Sequence, residues 1–369
     1  MARVVVVEPF YGGSHRFWLD GWRSHSEHDL ELITLPDKFW RWRMRGGAVA
    51  LAQALVDHVN THGRPDLVVV SALTDVASLA GLARRALGET ALAIYMHENQ
   101  LLYPLAPNQQ HDESMALTNW RSLMAADAVW WNSAFHRDAL MAELPVLLGR
   151  QPDQTIDPTP EIVARSSVLW PGVDARLLIG SDRQSHSHEP PLVLWNQRWD
   201  HDKNPRAVFS ALRRLAGDGV EFRLALAGED QGRHGLADVL NDLEPQIVHR
   251  GWLDRAGYVD LLLRSDVVVS AADHEFFGIA IVEAIAAGAT PVLPNRLSFP
   301  ELIADKWHSA TLYGDGNLST RLADVLSNVE HYRAATDGLR DSMQRFDVAA
   351  TAGHHDQAVN AAIASGREQ

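Results

Sequence analysis

The sequence predicts an α/β protein with two doubly wound domains, each built on a parallel sheet. Short runs of β-branched or apolar residues alternate with helix-length amphipathic segments, an order that is typical of parallel sheets covered on both faces. The alternation occurs in two series, and a polar stretch that ends in Pro190-Pro191 separates them. The chain has 369 residues, which is enough for two hydrophobic cores at roughly 100–200 residues per domain.

The first series predicts a domain over residues 1–178. Its expected strands are Val4–Val7, Leu30–Thr34, Leu67–Val70, Leu92–Tyr95, Val129–Asn132 and Val168–Trp170. Its expected helices are Ala48–Asn60, Leu73–Leu87, Met115–Ala125 and Phe135–Glu143. Because ligands of such folds bind at the carboxyl ends of the strands, polar residues that follow a predicted strand are candidates for function.

The second series predicts a domain over residues 192–345. Its expected strands are Leu192–Asn196, Phe222–Ala227, Ile247–His249, Val267–Ser270 and Thr290–Leu293. Its expected helices are Pro205–Ala216, Arg255–Arg264 and Gly278–Ala287. Residues 179–191 are expected to form a solvated linker, an interpretation favoured over a metal site at His186 and His188. Residues 346–369 are an alanine-rich, helix-compatible tail.

Composition excludes several classes of protein. The formal net charge is −14 and both halves of the chain are acidic, whereas a protein that coats duplex nucleic acid presents a basic field. The absence of cysteine excludes a disulfide framework and a thiolate zinc site. The first residues lack the apolar core of a signal peptide, and no apolar run reaches the roughly 18 residues that span a bilayer. We therefore expect a cytoplasmic protein.

A glycine-containing turn follows the first predicted strand. The segment from Glu8 to His15 includes Gly12 and Gly13, which let backbone N–H groups approach a ligand, and the start of a helix favours an anion. The usual dinucleotide and nucleoside-triphosphate phosphate-loop patterns are not present. The alternative interpretation is an ordinary turn that Ser14 caps.

A local basic and aromatic patch lies at residues 37–45, inside an acidic domain. Four cations and one anion give it a net charge of +3, and aromatic residues are interleaved with them. Guanidinium groups match phosphate oxygens and aromatic faces stack on unpaired bases, so the pattern is typical of RNA-loop recognition. The alternative is that the aromatics pack inward and the arginines are solvated. The candidate RNA-contacting residues of this patch are Lys38, Trp40, Arg41, Trp42, Arg43 and Arg45.

Four consecutive polar residues, His97, Glu98, Asn99 and Gln100, stand at the end of another predicted strand. Burying such side chains without partners is costly, so we expect them to have partners or a ligand. His97 is a candidate for positioning sugar hydroxyls or for moving a proton. The alternative is a structural histidine with a satisfied hydrogen bond.

In the second domain, Arg198 and Lys203 lie between a predicted strand and a predicted helix, where a diphosphate would bind. The chain has only three lysines, and two of them, Lys38 and Lys203, fall in motifs that were chosen on other grounds. The second domain is therefore the expected site of a phosphorylated ligand.

The strongest pattern is a pair of glutamates in and before a predicted helix. Glu275 precedes the helix and Glu283 lies inside it. The first helical N–H groups, around Phe277–Ile279, are available to hold phosphate. Glu283 would lie about 7–8 Å further along the helix, so the two carboxylates suit the two ends of a nucleotide-sugar. The alternative is two surface carboxylates on an amphipathic helix.

These motifs resemble those of known glycosyltransferases. The Glu275–Glu283 segment, the Arg198 and Lys203 pair, and the stretches 170–174 and 227–229 resemble the family-four retaining glycosyltransferases of GT-B fold. In the first domain, the stretches 8–15, 34–45 and 97–104 resemble the tRNA-queuosine mannosyltransferase family. That family adds mannose from GDP-mannose to queuosine in tRNA-Asp.

The resemblance implies two Rossmann-like domains that face a central cleft, and transfer of a hexose with retention at the anomeric carbon. It implies front-face attack, in which the leaving phosphate accepts the acceptor proton, and it implies no obligatory metal or other cofactor. The implied catalytic residues are His97, Glu275, Arg198 and Lys203. The implied donor-binding residues are Gly12, Gly13, Arg198, Lys203, Glu275, Phe277, Gly278, Ile279 and Glu283.

Ser14, His15, Asn99 and Gln100 join the basic and aromatic patch as implied acceptor-binding residues. One departure concerns the diphosphate site, where family-four sequences typically have Gly-Arg and this chain has Gln197-Arg198. Three other functions stay open: the same chemistry on a small-molecule, lipid or polysaccharide acceptor, a hydrolysing sugar-nucleotide epimerase, and a non-catalytic nucleotide-sugar or RNA binding protein.

Overall fold

A computed structural model describes residues 1–104, 112–153, 157–183, 189–228 and 235–366. The chain forms two compact units. Unit 1 comprises Met1–Gly172 and Val348–Gln369, and unit 2 comprises Val173–Asp347. None of the helices in the described ranges is long and apolar enough to cross a membrane.

Unit 1 is built on a six-stranded parallel sheet with the order β2-β1-β3-β4-β5-β6. Its strands are β1 (Arg3–Tyr11), β2 (Asp29–Pro36), β3 (Leu67–Ser71), β4 (Ala91–Met96), β5 (Ala128–Trp131) and β6 (Ser166–Val168). The four valines 4–7 of β1 are fully buried, because helices cover both faces of a parallel sheet. The uninterrupted valine run therefore marks a central strand.

In the described part of unit 1, seven α-helices come before residue 173, where unit 2 begins. They are α1 (Gly13–His25), α2 (Trp40–Trp42), α3 (Ala48–His62), α4 (Val76–Leu87), α5 (Glu113–Ala125), α6 (Ala134–Leu148) and α7 (Thr159–Ala164). Asp75 caps α4 by accepting from Ser78 N at 3.0 Å, and Ser133 caps α6 by accepting from His136 N at 3.0 Å. The predicted start of α4 at Leu73 is therefore three residues early, because the Asp75 cap sets it.

Unit 2 repeats this plan with a parallel sheet in the order β12-β11-β10-β7-β8-β9. Its strands are β7 (Leu192–Trp195), β8 (Arg223–Ala227), β9 (Ile247–Gly251), β10 (Val267–Val269), β11 (Thr290–Pro294) and β12 (Leu312–Tyr313). Strand β12 was not predicted, since two residues carry no periodic signal.

The helices of unit 2 include several short ones that the sequence pattern did not indicate. They are α8 (Ala175–Gly180), α9 (Pro205–Gly217), α10 (Ala237–Leu243), α11 (Arg255–Arg264), α12 (Ile279–Ala286), α13 (Phe299–Leu302), α14 (His308–Thr311), α15 (Leu318–Ser327), α16 (Val329–Ala335) and α17 (Leu339–Ser342). The predicted helices at 205–216, 255–264 and 278–287 correspond to α9, α11 and α12, and these three position the candidate site.

The last helix, α18 (Val348–Gly366), belongs to unit 1. Two buried indoles of α1 hold it: Trp18 Nε1 donates to His355 Nε2 at 3.0 Å, and Trp22 Nε1 donates to Asp356 Oδ1 at 2.9 Å. The Asp356 carboxylate also accepts from the backbone N–H of Glu27 at 2.7 Å. The predicted tail 346–369 thus belongs to unit 1 from Val348 onward, whereas Phe346 and Asp347 belong to unit 2.

The domain boundaries also differ from those expected in the sequence, 1–178 and 192–345. Unit 2 begins at Val173, because the backbone N–H of Arg176 donates to Asp347 Oδ2 at 2.8 Å and Arg183 pairs with Asp266 at 2.6 Å. The first part of the predicted linker 179–191 is therefore packed on unit 2. Residues 184–188, which include His186 and His188, lie outside the described residues.

Candidate active site

In both sheets the strand order reverses next to a strand that predicted site residues follow, Gly12 and Gly13 after β1 and Arg198 and Lys203 after β7. In unit 1, β1 lies between β2 and β3, and in unit 2, β7 lies between β8 and β10. The crevice outside the carboxyl ends of strands at such a switch point is where open α/β sheets bind ligands. Glu8, Lys203 and Glu275 lie on or just after these strands.

Lys203 is the centre of a buried charge cluster in unit 2. Its ammonium lies 3.0 Å from Asp202 Oδ2 and 3.2 Å from Glu275 Oε2, and it donates to the carbonyl of His274 at 2.7 Å. Burial opposes the charge, but the attraction of Glu275 and Asp202 outweighs it and raises the pKa of Lys203. The structure thus brings together two predicted residues, Lys203 and Glu275, and adds Asp202, which was not predicted.

Arg198 extends this cluster toward solvent. Its side chain is 66% exposed, and its guanidinium lies 3.1 Å from Asp200 and 4.0 Å from Asp202. A guanidinium that keeps most of its surface in water is accessible to a phosphate from solvent. Arg198 and Lys203 together give the site an exposed and a buried cation.

The loop before α12 is held in a conformation that favours glycine. Gly278 has φ 102° at the N-cap of α12, and Ser298 Oγ donates to the carbonyl of Phe277 at 2.9 Å and to that of Glu275 at 3.2 Å. The first amides of a helix have no acceptor within the helix, so the amide of Ile279, where α12 begins, suits a phosphate, and those of Phe277 and Gly278 directly precede it. Phosphate binding by this segment stays a prediction.

Glu283 is buried within α12, but it is not isolated. Its Oε1 accepts from Arg255 Nη1 at 2.6 Å, while Arg255 Nη2 donates to Asp174 Oδ2 at 2.7 Å. Burial raises the pKa of Glu283, and Arg255 opposes that shift. An unpaired carboxylate would be costly at this buried position. Arg255, at the start of α11, is its partner, and this residue was not predicted.

In unit 1, three residues from different elements form a compact buried cluster of Glu8, His15 and His97. Glu8 is 0% exposed, its Oε1 accepts from Phe10 N at 2.8 Å, and its Oε2 lies 3.2 Å from His15 Nδ1 and 3.9 Å from His97 Nε2. The imidazole rings of His15 and His97 stack with centroids 3.9 Å apart. The sequence placed Glu8 in the glycine turn but gave it no role.

The two stacked histidines have opposite pKa shifts. Burial lowers the pKa of His97 well below its usual value, and His15 lowers it further. For His15, burial also favours the neutral form, but the attraction and hydrogen bond of Glu8 outweigh it and raise the pKa. Pairs of titratable groups with such divided environments are typical of active sites.

The glycine turn makes room for an acidic side chain. A Cβ on Gly12 would lie 2.2 Å from Asp37 Oδ2, and Gly13 has φ +52° at the first position of α1. No side chain caps α1, so the interpretation in which Ser14 is the cap is wrong. Ser14 is instead exposed.

Asn99 and Gln100 have structural partners. Asn99 is fully buried, and its Oδ1 accepts from the backbone N–H groups of Leu101 and Leu102 at 3.1 and 2.9 Å. Gln100 Nε2 donates to Glu98 at 3.0 Å. These contacts hold the loop after β4 in place.

The basic and aromatic patch exposes part of its aromatic surface. Phe39 is 71% exposed and Trp42 is 70% exposed, while Trp40 packs partly against the cluster around Met44. The alternative in which the aromatics pack inward therefore holds for Trp40 alone. The cations of the patch include Lys38 and Arg41, which are exposed, Arg43, which is half-buried, and Arg45, which donates to Asp112 at 2.7 Å.

Two groups of described residues have the composition of a metal site. The ligand atoms of Glu8, His15 and His97 lie within 4.8 Å of one another, as do those of Glu31, His58 and His62. The second group lies at the edge strand β2 and the end of α3. In the first group, Glu8 and His15 already satisfy each other with a hydrogen bond.

Comparison with known families agrees with the architecture. Residues 3–173 match the family model described as tRNA-queuosine alpha-mannosyltransferase N-terminal, and residues 181–340 match that of glycosyl transferases group 1. A tRNA-queuosine alpha-mannosyltransferase of Drosophila melanogaster is 32% identical over 330 residues, which cover 86% of this chain and 85% of that protein.

A GDP-mannose-dependent alpha-(1-6)-phosphatidylinositol dimannoside mannosyltransferase of Mycobacterium tuberculosis is 26% identical over 279 residues, 73% of this chain and 67% of that protein. Among solved structures, the sucrose-phosphate synthase of Thermosynechococcus elongatus has a TM-score of 0.74 at 15% identity, covering 98% of this chain and 99% of that chain. The catalytic domain of starch synthase IV from Arabidopsis thaliana has a TM-score of 0.69 at 12% identity, covering 98% and 99%. The expected GT-B fold is confirmed.

Proposed function

Because this chain belongs to the tRNA-queuosine alpha-mannosyltransferase family and is a glycosyltransferase, we propose that it transfers mannose from GDP-mannose to queuosine in tRNA-Asp. The patch at 37–45 of unit 1 is the observation that supports a tRNA acceptor. There Phe39 and Trp42 expose about two thirds or more of their surface beside several cations. Such a surface suits the unpaired bases and phosphates of an RNA loop.

Unit 2 is the donor side of the proposal. Lys203 and Arg198 bind the diphosphate, the amides at Phe277, Gly278 and Ile279 hold the phosphate nearest the sugar, and Glu275 holds sugar hydroxyls. Glu283 holds the ribose. Paired cations do for the leaving diphosphate what a metal does in other transferases, so the reaction needs no obligatory metal.

Unit 1 is the acceptor side. Gly12, Gly13, Ser14 and His97 contact the reacting groups, and the patch at 37–45 binds the tRNA. Transfer proceeds with retention at the anomeric carbon, and the leaving phosphate takes the proton of the acceptor hydroxyl. A tRNA acceptor also favours the cytoplasmic location that the sequence predicts.

Mass spectrometry of tRNA nucleosides tests the proposal. The protein is incubated with GDP-mannose and queuosine-containing tRNA-Asp, and the nucleosides are then digested and weighed. We expect a hexose increment on queuosine alone, unchanged when a chelator is present. The same tRNA without queuosine is the matched negative control.

Three outcomes would contradict it. A hexose increment with UDP-glucose but none with GDP-mannose would exclude the proposed donor. Transfer to a polyprenol or phosphatidylinositol acceptor, with none to tRNA, would exclude the proposed acceptor. Binding of GDP-mannose without turnover on any acceptor would indicate a binding protein.

A further inference from the structure

The cluster of Glu8, His15 and His97 contains one buried ring nitrogen, Nε2 of His97, whose hydrogen bonding is incomplete. His97 Nε2 is shielded from solvent and forms no hydrogen bond among the described residues. Its nearest carboxylate oxygen is Glu8 Oε2 at 3.9 Å, too far for a hydrogen bond but close enough for strong electrostatic interaction. Burying a carboxylate and an imidazole costs free energy, so we expect their close approach to have a function.

We propose that Glu8 and His15 are positioning residues for His97. Their ion pair fixes the His97 ring by stacking and directs Glu8 Oε2 at His97 Nε2, so that Nε2 carries the ring proton. Nδ1 of an uncharged ring is then left to accept a hydrogen bond from a substrate hydroxyl. The proposal rests on the proposed transfer reaction for the identity of that hydroxyl.

The negative charge of Glu8 is balanced within the cluster. Glu8 accepts from Phe10 N and pairs with His15 Nδ1, so its negative charge has a partner on each oxygen. The pair has no net charge and so does not favour a charged His97, but its oxygen Oε2 still lies 3.9 Å from His97 Nε2. A carboxylate next to one ring nitrogen selects the tautomer with the proton on that nitrogen.

Several elements of unit 1 pack around His97 and together set its electrostatic environment. Titratable groups face it from Glu8 on β1, His15 on α1, Tyr95 on β4, His136 on α6 and His355 on α18. Burial and the three histidines all lower the pKa of His97, so its ring stays uncharged at neutral pH. Trp18 closes the site with its ring centroid 4.7 Å from that of His97.

The cluster can be interpreted as an ion pair beside His97 or as a metal site. The same three side chains could ligate a cation, since their ligand atoms lie within 4.8 Å of one another. Both oxygens of Glu8 already have a partner without a cation, Phe10 N for Oε1 and His15 Nδ1 for Oε2, and we therefore argue from the ion pair.

Two substitutions with opposite pH signatures test the positioning role. His15→Gln keeps a donor for Glu8 but removes the cation, so the carboxylate stabilises a charged His97. We expect the acidic limb of the pH profile of kcat/KM to move up by about 1–3 pH units. Glu8→Gln removes both charges of the pair, and we expect a loss of about 100-fold without a shift of that limb.

His25→Gln is the matched control, since His25 is an exposed histidine at the other end of α1. Its rate and pH profile should equal those of the unsubstituted protein. A His15→Gln profile that does not move would overturn the proposal. So would stoichiometric Zn²⁺ binding that His97→Gln abolishes.

A readout that needs no substrate keeps the test independent of the proposed reaction. The ¹⁵N resonances of labelled histidine, assigned with His15→Gln and His97→Gln, report charge and tautomer at pH 7. We expect His15 to be charged and His97 to be neutral with its proton on Nε2. The opposite tautomer or a charged His97 refutes the proposal, whereas the expected signals without any transfer to tRNA refute only the proposed function.

Discussion

Units 1 and 2 place their polar residues at equivalent points of two similar sheets, yet they manage charge in opposite ways. Unit 2 pairs full charges: Lys203 with Asp202 and Glu275, and Arg255 with Glu283 and Asp174. Ion pairs of this kind are ready to exchange one partner for a charged ligand such as a diphosphate.

Unit 1 surrounds the buried Glu8 carboxylate with imidazole and indole rings. Burial lowers the pKa of His97 and of His355, so Glu8 and His15 form the only charged pair within this cluster of described residues. The candidate site of unit 2 thus rests on several ion pairs, whereas that of unit 1 holds one ion pair among buried rings.

The largest effect is expected at Lys203. Lys203→Met leaves the fully buried Asp202 carboxylate without its nearest cation, and removing one partner of a buried pair costs about 3–5 kcal/mol. Urea denaturation should show this loss, and donor binding should disappear. Lys306→Met is the control, because Lys306 is exposed and only covers Trp307 at 4.0 Å. Equal losses in both variants would contradict the assignment.

Acid is expected to destabilise unit 1 through His355. Burial lowers the pKa of His355 from 6.5 to about 4, so between these values the unfolded chain binds a proton that the native state refuses. Stability therefore falls as pH drops through that window, by about 3 kcal/mol. His355→Gln can keep the bonds to Trp18 and Thr351, and its unfolding free energy should depend less steeply on pH. An unchanged slope would contradict the prediction.

A smaller effect is expected at Glu283. If this carboxylate holds the ribose, Glu283→Gln should raise the KM for GDP-mannose about 10- to 100-fold, the size of a hydrogen bond to a charged group. Asp174→Asn removes the other partner of Arg255 and should leave that KM within about threefold. Steady-state kinetics at saturating tRNA distinguish the two. Equal increases would mean that Glu283 only holds Arg255.

The smallest effect is expected at the surface of the patch. Trp42→Ala should raise the KM for tRNA about tenfold, because base stacking on one aromatic contributes about 1–3 kcal/mol. The melting temperature should not change, since the side chain is 70% exposed. Trp252→Ala, at an indole 73% exposed in unit 2, is the control. A tRNA effect at Trp252 alone would move the acceptor surface to the other unit.

Much of the architecture follows from local sequence patterns. The valine run 4–7 predicts a buried parallel strand, and the alternation of strands and helices predicts two sheets. Lys203 and Glu275 were identified separately from their places after strands, and the structure brings them to 3.2 Å. This succeeded because strand ends of a parallel sheet converge at one edge.

What the sequence did not reveal depends on contacts between distant residues. Trp18 and His355 are 337 positions apart, and nothing in an alanine-rich tail indicates which domain it packs on. The partner of Glu283 was missed because it lies on a different helix: Arg255 is the first residue of α11. The Glu8 cluster was missed because its members come from β1, α1 and the end of β4, and only the folded sheet brings them together.

The position of α18 has a consequence for biosynthesis. Unit 2 lies within one continuous stretch of chain, so it can complete its core as soon as Asp347 has left the ribosome. Unit 1 must wait for its last helix, and until then Trp18 and Trp22 lack the hydrogen-bond acceptors that His355 and Asp356 supply. The domain that starts first is thus finished last, and the intervening interval is when the nascent chain most needs protection from aggregation.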